Sequence, residues 1–101
     1  MRLHLVAALL MAPLAAAADP LEEGEALVKR NCAACHAVTQ VDASPNPRAI
    51  PFRFLGRLYP IEHLEEALAE GIVVGHEMPE FVLEVEQVAA LILYLDSIQV
   101  R

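Results

Sequence analysis

The sequence is poor in the residues that mark several common classes of protein. It has no tryptophan, only two cysteines, and seven basic side chains against fourteen acidic ones, which leaves a formal charge of −7. Nucleic-acid-binding proteins need a basic surface, and this composition does not provide one. The two cysteines are separated by only two residues, so a disulfide between them would close too small a loop to stabilise the fold much.

The first eighteen residues have the composition of a removable secretory signal. Arg2 precedes an apolar stretch over residues 3–14, and the four alanines at 15–18 offer A-x-A cleavage sites. This stretch is shorter than the roughly 20 residues that span a bilayer, so a cleaved signal is favoured over an uncleaved membrane anchor. We expect cleavage after Ala18. Residues 19–101 then form one small domain with six basic and fourteen acidic side chains, and no apolar run in it could span a membrane.

The most informative stretch is Cys32-Ala33-Ala34-Cys35-His36, which has the C-x-x-C-H spacing of a c-type haem attachment site. Two thiols at this spacing can each add to a vinyl group on one edge of a porphyrin. In a helical segment positions i, i+3 and i+4 share a face, so the imidazole can bind the iron as proximal ligand. A thioredoxin-like dithiol would need a βαβ context, which this pattern lacks. A zinc site would need a fourth ligand, for which His63 or His76 is left.

Met78 is the candidate for the second iron ligand. It is the only methionine after residue 18, and it precedes Pro79, which holds it extended. Methionine usually fills gaps in a core, but this one lies between polar residues, which is a poor place for packing. His76 is the rival ligand, because in an extended segment residues two apart lie on the same side. A sixth position that is open or holds water is the third possibility.

Helical periodicity predicts an all-α domain. Asp19 is expected to cap a first helix with Pro20 at its first position. Gly24 lies inside that helix at a cost of roughly 1 kcal/mol relative to alanine, which suggests that another backbone passes close by. Pro60 begins a second helix, and residues 83–99 form the last one. Its predicted apolar face consists of Val85, Val88, Ala89, Leu91, Ile92, Leu95 and Ile98.

Residues 39–51 are rich in proline and predict a loop after the motif. A backbone carbonyl of this loop can accept the free N–H of His36 and fix its tautomer. The candidate owners of that carbonyl are Pro45, Pro47 and Pro51.

A short apolar and basic segment follows the loop. Phe52, Leu55 and Leu58 share helical spacing and are expected to face inward. One of Arg48, Arg53 and Arg57 is expected to pair with a haem propionate. Arg53 is the favoured candidate. The alternative is that these arginines are surface charges exposed to solvent.

Taken together, these stretches resemble a small class I (monohaem) cytochrome c of the exported bacterial kind, over essentially all of residues 19–99. The resemblance is carried by the C-A-A-C-H motif, the Met78-Pro79 pair about forty residues later, and a final helix with Leu91-x-x-Tyr94-Leu95. It implies an all-α class I cytochrome c fold, with three to four helices and loops around one covalently bound haem c. It further implies a crossing of the first and last helices at Gly24 and Val28.

The same resemblance implies the roles of the site residues. Cys32 and Cys35 would form thioethers to the haem, His36 would be the proximal iron ligand and Met78 the distal one. The protein would be a single-electron carrier of the periplasm rather than an enzyme, with its iron cycling between Fe(III) and Fe(II). The alternative is a haem subunit or ligand sensor with an open or weakly held sixth position.

The acidic charge suggests what the partners look like. We expect a dehydrogenase, reductase or oxidase with a basic docking patch, and neither nucleic acid nor an integral membrane span. The protein would act as a monomer or as a docked subunit.

Overall fold

The computed structural model describes residues 2–11, 19–70 and 78–101. Within these ranges the chain forms three α-helices, two short 3₁₀ helices and no β-strand. The α-helices are α1 (Pro20–Asn31), α2 (Leu64–Glu70) and α3 (Val85–Ser97), and the 3₁₀ helices are Phe52–Arg57 and Ile61–His63. The all-α prediction is confirmed for the described ranges. Residues 2–11 belong to none of these elements and are exposed.

Helix α1 begins at the residue that the sequence predicts. The Asp19 carboxylate accepts a hydrogen bond from the backbone N–H of Leu21 at 3.0 Å, which satisfies one of the free N–H groups at the start of the helix. Pro20 occupies the first helical position, where its missing N–H removes no hydrogen bond. The helix ends at Asn31, so the C-x-x-C-H motif begins just beyond it rather than within it.

Helices α1 and α3 cross in close contact at Gly24. A Cβ atom at this position would collide with the backbone carbonyl oxygen of Ala90, and it would lie only 2.9 Å from Cβ of Tyr94. Any larger residue would therefore push the two helix backbones apart. Val28 follows one turn later and has no exposed surface, and it joins buried α3 side chains in the core. The predicted crossing at Gly24 and Val28 is confirmed.

Helix α3 is shorter than predicted and is rotated relative to its predicted apolar face. It starts at a capping box in which the backbone N–H of Glu84 donates to Oε1 of Gln87 at 2.9 Å. Val85 is 75% exposed and Ala89 is also exposed, so the prediction is wrong for these two residues. The crossing at Gly24 decides which side of α3 faces inward. The buried side of the helix consists of Val88, Ala90, Leu91, Tyr94 and Leu95.

The middle of the chain closes the core from another side. Phe52 and Leu55 are buried, as predicted, but Leu58 is 65% exposed. The prediction fails at Leu58 because the 3₁₀ helix ends at Arg57, so its periodicity does not extend to the next residue. Helix α2 and the 3₁₀ turn before it keep their carboxylates exposed: Glu62, Glu65, Glu66 and Glu70.

Candidate functional site

The segment from Cys32 to His36 forms one turn directly after α1. The backbone N–H of Cys32 donates to the carbonyl of Val28 at 2.9 Å, which extends the helical hydrogen bonding by one residue. The N–H groups of Cys35 and His36 both donate to the carbonyl of Cys32, at 3.2 and 3.0 Å. This local turn places the side chains of Cys32, Cys35 and His36 on the wall of the same cavity.

The two cysteines form no disulfide and are partly buried. Burial raises the pKa of the Cys32 thiol to about 11, because the thiolate would lose solvation. This thiol is therefore protonated at neutral pH. Dithiol oxidoreductases instead carry an attacking cysteine whose pKa is lowered. The environment of Cys32 thus differs from that of a redox-active dithiol.

One ring nitrogen of His36 is hydrogen-bonded to the backbone. Its Nδ1 lies 2.7 Å from the carbonyl oxygen of Ile50. Because a carbonyl can only accept, Nδ1 carries the proton, and Nε2 keeps its lone pair for a metal. The prediction that Pro45, Pro47 or Pro51 supplies this carbonyl is therefore wrong. Pro51 acts indirectly, since it restricts the preceding Ile50 to extended conformations.

One face of the His36 ring is covered by Phe52. The two ring centroids are 4.4 Å apart and the ring planes are inclined by 29°. The backbone N–H of Phe52 donates to the carbonyl of Ala37 at 3.0 Å, so the backbone next to His36 is tied to the residue that stacks on it. Ile50 and Phe52, two residues apart, thus contact an edge and a face of one imidazole.

Asp42 holds the loop that follows the motif. Its carboxylate accepts from the Thr39 hydroxyl at 2.7 Å and from the backbone N–H groups of Val38 and Thr39 at 3.0 and 2.8 Å. The bond from the Thr39 hydroxyl is the main reason that the pKa of Asp42 is lowered to about 2, although desolvation opposes it. Arg53 donates to the backbone carbonyl of Asp42 at 2.7 Å, and the Tyr94 hydroxyl donates to that of Val38 at 2.6 Å. The loop is thereby fastened to the first 3₁₀ helix and to α3.

Two adjoining cavities open beside the motif. The larger has a volume of about 360 Å³, and Cys32, Cys35, His36 and Met78 all line it. The smaller, of about 170 Å³, shares Cys32, His36 and Met78 with the larger one and extends toward the core. The structure therefore brings the four residues that the sequence singles out to one place, although Met78 is far from the others in sequence.

The walls of the two cavities differ in polarity. The larger cavity carries the polar side chains of Asn46 and Arg48, which do not line the smaller one. The smaller one has a mostly apolar wall, to which α2, α3 and the first 3₁₀ helix contribute. The aliphatic side chains of that wall are Ile50, Leu55, Leu64, Leu68, Leu83, Leu91 and Leu95.

Comparison with known proteins identifies the family. A family model described as cytochrome c oxidase, cbb3-type, subunit III, matches residues 19–95, which is most of the chain. The chain belongs to the cbb3-type cytochrome c oxidase subunit III family. No curated protein and no solved structure gives a match. The protein is therefore a small monohaem c-type cytochrome of the all-α class I fold, and its cofactor is a covalently bound haem c.

The cavities of the cytochrome fit this cofactor. A haem is an apolar macrocycle that carries two propionates at one edge, and the smaller cavity is apolar while the larger has a polar side. The side chains on the shared wall include an imidazole with a free Nε2 and a thioether, a pair that haem iron accepts in cytochromes c. The residues that line the two cavities thus match the haem in polarity and in the iron ligands that they offer.

Arg53 does not hold the position that the sequence favours for it. Its guanidinium donates to the carbonyls of Asp42 and Thr39 and lies over the ring of Phe54, 4.8 Å from the centroid. Successive residues of a 3₁₀ helix point about 120° apart, so Arg53 turns away from the side on which Phe52 meets the cavity. Arg48 lines the larger cavity instead.

The remaining predictions concern His76, the cleavage site, a zinc site and a membrane span. The rival ligand His76 and the expected cleavage site after Ala18 lie outside the described residues. His63 is exposed. Among the residues that the structure describes, no group of three or more His, Cys, Asp or Glu side chains could hold a metal ion, which gives the zinc alternative no support there. None of the helices that the structure describes is long and apolar enough to cross a membrane.

Proposed function

We propose that this cytochrome carries one electron at a time between redox proteins, with its haem attached through Cys32 and Cys35 and its iron held by His36 and Met78. The observation that supports this assignment is that all four side chains line a single cavity. Haem supplies the Fe(III)/Fe(II) couple when it is bound. With two strong ligands from the chain, no coordination position is left for a substrate, so we assign the protein as a carrier rather than an enzyme.

The cysteines and the histidine of the motif have different roles in holding the cofactor. The sulfur atoms of Cys32 and Cys35 would hold the haem through thioether bonds to its two vinyl groups. His36 binds as a neutral imidazole through Nε2. The hydrogen bond from its Nδ1 to the carbonyl of Ile50 fixes the tautomer and makes Nε2 a stronger donor.

Met78 sets the redox character of the proposed site. A thioether ligand favours the ferrous state, so His/Met ligation raises the reduction potential relative to His/His ligation. The apolar wall formed in part by Leu83, Leu91 and Leu95 acts in the same direction, because it keeps water from the site. We therefore expect a low-spin haem with a relatively high potential.

We also propose where the cytochrome works and what it meets. Residues 1–18 direct export and are removed after Ala18, which leaves residues 19–101 as a periplasmic domain. Arg2, the short apolar stretch over residues 3–14 and the alanines at 15–18 support this assignment. The formal charge of −8 on residues 19–101 favours partners with basic patches, and the family description supports a docked subunit of an oxidase complex as one setting for this carrier.

Replacing the distal ligand tests the proposal. In Met78→Ala the thioether is lost, so we expect the reduction potential to fall by tenths of a volt, on the scale of the roughly 0.8 V over which axial ligands move haem potentials. We also expect loss of the weak far-red band of Fe–S(Met) ligation, and carbon monoxide should bind to the reduced variant. The measurements are a redox titration followed by visible spectroscopy and a carbon monoxide titration.

Two further variants separate ligation from packing. Met78→Leu keeps most of the side-chain volume and should behave like Met78→Ala, whereas His76→Ala should behave like wild type. If Met78→Ala keeps the wild-type spectrum and potential, Met78 is not the ligand. Rapid and complete carbon monoxide binding to the wild-type protein would instead establish an open sixth position and a sensor or catalytic subunit. A haem stain that survives denaturation excludes a haem-free dithiol or zinc protein.

A further inference from the structure

The stacking of Phe52 on His36 is a feature that the proposed ligand set does not require. The ring centroids are separated by 4.4 Å and the planes are inclined by 29°, which is a stacked arrangement at close range. Phe52 is buried, with 8% of its surface exposed, and it lines the smaller cavity together with His36. The contact therefore occurs at the wall of the haem site.

A single hydrogen bond does not fix the plane of an imidazole. The terminal torsion of histidine has broad energy wells, and a hydrogen bond stays favourable while its angle changes by tens of degrees. The bond from Nδ1 to Ile50 thus holds one edge of the His36 ring but leaves room for tilt. A flat side chain against the ring face removes much of that remaining freedom.

Phe52 is rigid enough to act in this way because its backbone is anchored on both sides. Its N–H donates to the carbonyl of Ala37 at 3.0 Å, and its own carbonyl accepts from Nε2 of Gln99 at 2.7 Å. The same Gln99 side chain accepts from the N–H of Gly56 at 2.7 Å through Oε1. One glutamine near the C-terminus thus ties the 3₁₀ helix that carries Phe52 to the end of α3.

We propose that Phe52 is a positioning residue, which fixes the orientation of the His36 imidazole plane by stacking on its face while Ile50 holds its edge. This inference rests on the proposed role of His36 as iron ligand. The orientation of a ligating imidazole decides which of the iron d orbitals its π electrons overlap. Removing the stacking ring therefore changes the splitting of those orbitals without removing the ligand.

The electron paramagnetic resonance spectrum of the ferric holoprotein reports this splitting directly. In Phe52→Leu the ring is lost and an apolar side chain is kept, so we expect shifted g values and broader lines from a wider spread of imidazole orientations. Phe52→Tyr keeps the ring and should keep the wild-type spectrum. Phe54→Leu is the matched control, because Phe54 lies in the same 3₁₀ helix but is covered by Arg53 and Arg57, each 4.8 Å from its centroid.

The outcomes distinguish this inference from the proposed function. Wild-type g values and line widths in Phe52→Leu, beside a normal low-spin wild-type spectrum, would overturn the inference alone, and so would equal shifts in the Leu and Tyr variants. A wild-type spectrum without imidazole ligation would overturn the proposed function and this inference with it. If Phe52→Leu does not mature, nuclear Overhauser contacts between the two rings in the ferrous wild-type protein decide the matter, and their absence refutes the stack.

Discussion

Replacing Gly24 with alanine tests whether the contact between α1 and α3 is as close as the structure shows. In an ordinary exposed helix position this substitution stabilises the helix by roughly 1 kcal/mol, because glycine has the greater backbone freedom to lose. At Gly24 the added methyl group would collide with the carbonyl oxygen of Ala90 and lie 2.9 Å from Cβ of Tyr94. Helix propensity raises the free energy of unfolding and the clash lowers it. The sign of the measured change therefore shows which of the two is larger.

We expect the destabilisation from the steric clash to exceed the stabilisation from helix propensity. Overfilling a well-packed contact costs about 1–3 kcal/mol, and the upper end applies here because the nearest atoms belong to the backbone and cannot rotate away. After the gain in helix propensity, the net loss is about 2 kcal/mol. For a domain of 60–100 residues this corresponds to a fall in Tm of about 8–16 °C.

The assay is thermal unfolding of the ferric holoprotein, followed by far-ultraviolet circular dichroism. The covalent haem remains attached in the unfolded state of every variant, so their stabilities are directly comparable. Ala26→Gly is the matched control: Ala26 is exposed in the same helix, and its replacement should cost only the roughly 1 kcal/mol of helix propensity. A Gly24→Ala protein as stable as wild type, or more stable, would refute the close crossing.

Two further predictions concern the loop that follows the motif. Because hydrogen bonding lowers the folded-state pKa of Asp42 to about 2 from an ordinary value of 3.8, its stabilising contribution is present above about pH 4 and is lost as pH falls through 2. Asp42→Asn should therefore be less stable than wild type at neutral pH, and the Tm values of the two proteins should converge near pH 2. A difference in Tm that stays constant with pH would contradict this. Tyr94→Phe leaves the carbonyl of Val38 without its 2.6 Å hydrogen bond and should lower the free energy of unfolding by about 1–2 kcal/mol in urea titrations. Tyr59→Phe, at a partly exposed tyrosine, should change it little, and an equal effect of the two substitutions would refute the role of the buried bond.

The failed predictions share a physical cause. Leu58 follows the inward spacing of Phe52 and Leu55 but is exposed, because the 3₁₀ helix ends one residue too early. Ala89 fits an apolar stripe on α3, yet the crossing at Gly24 turns it outward. Periodicity describes one element at a time, and it cannot show where a neighbouring element makes that element stop or rotate.

The sequence by itself predicted the cofactor of this cytochrome, because the C-x-x-C-H spacing is a local pattern. It also singled out Met78 as the second ligand that we propose and Gly24 as a point of close approach, because ligand types and missing side chains are properties of single residues. The same applies to the start of α1, where Asp19 and Pro20 specify the cap without help from the rest of the chain.

Only the tertiary structure decided how His36 is held and which arginine faces the cavity. The partner of its Nδ1 is the backbone carbonyl of Ile50, and a carbonyl is present at every residue, so no side-chain pattern could single it out. The stack with Phe52 and the diversion of Arg53 to the carbonyl of Asp42 depend on how a loop folds back over the motif. Such contacts join residues 11 to 16 positions apart across irregular backbone, where no helical or strand period relates one residue to the next.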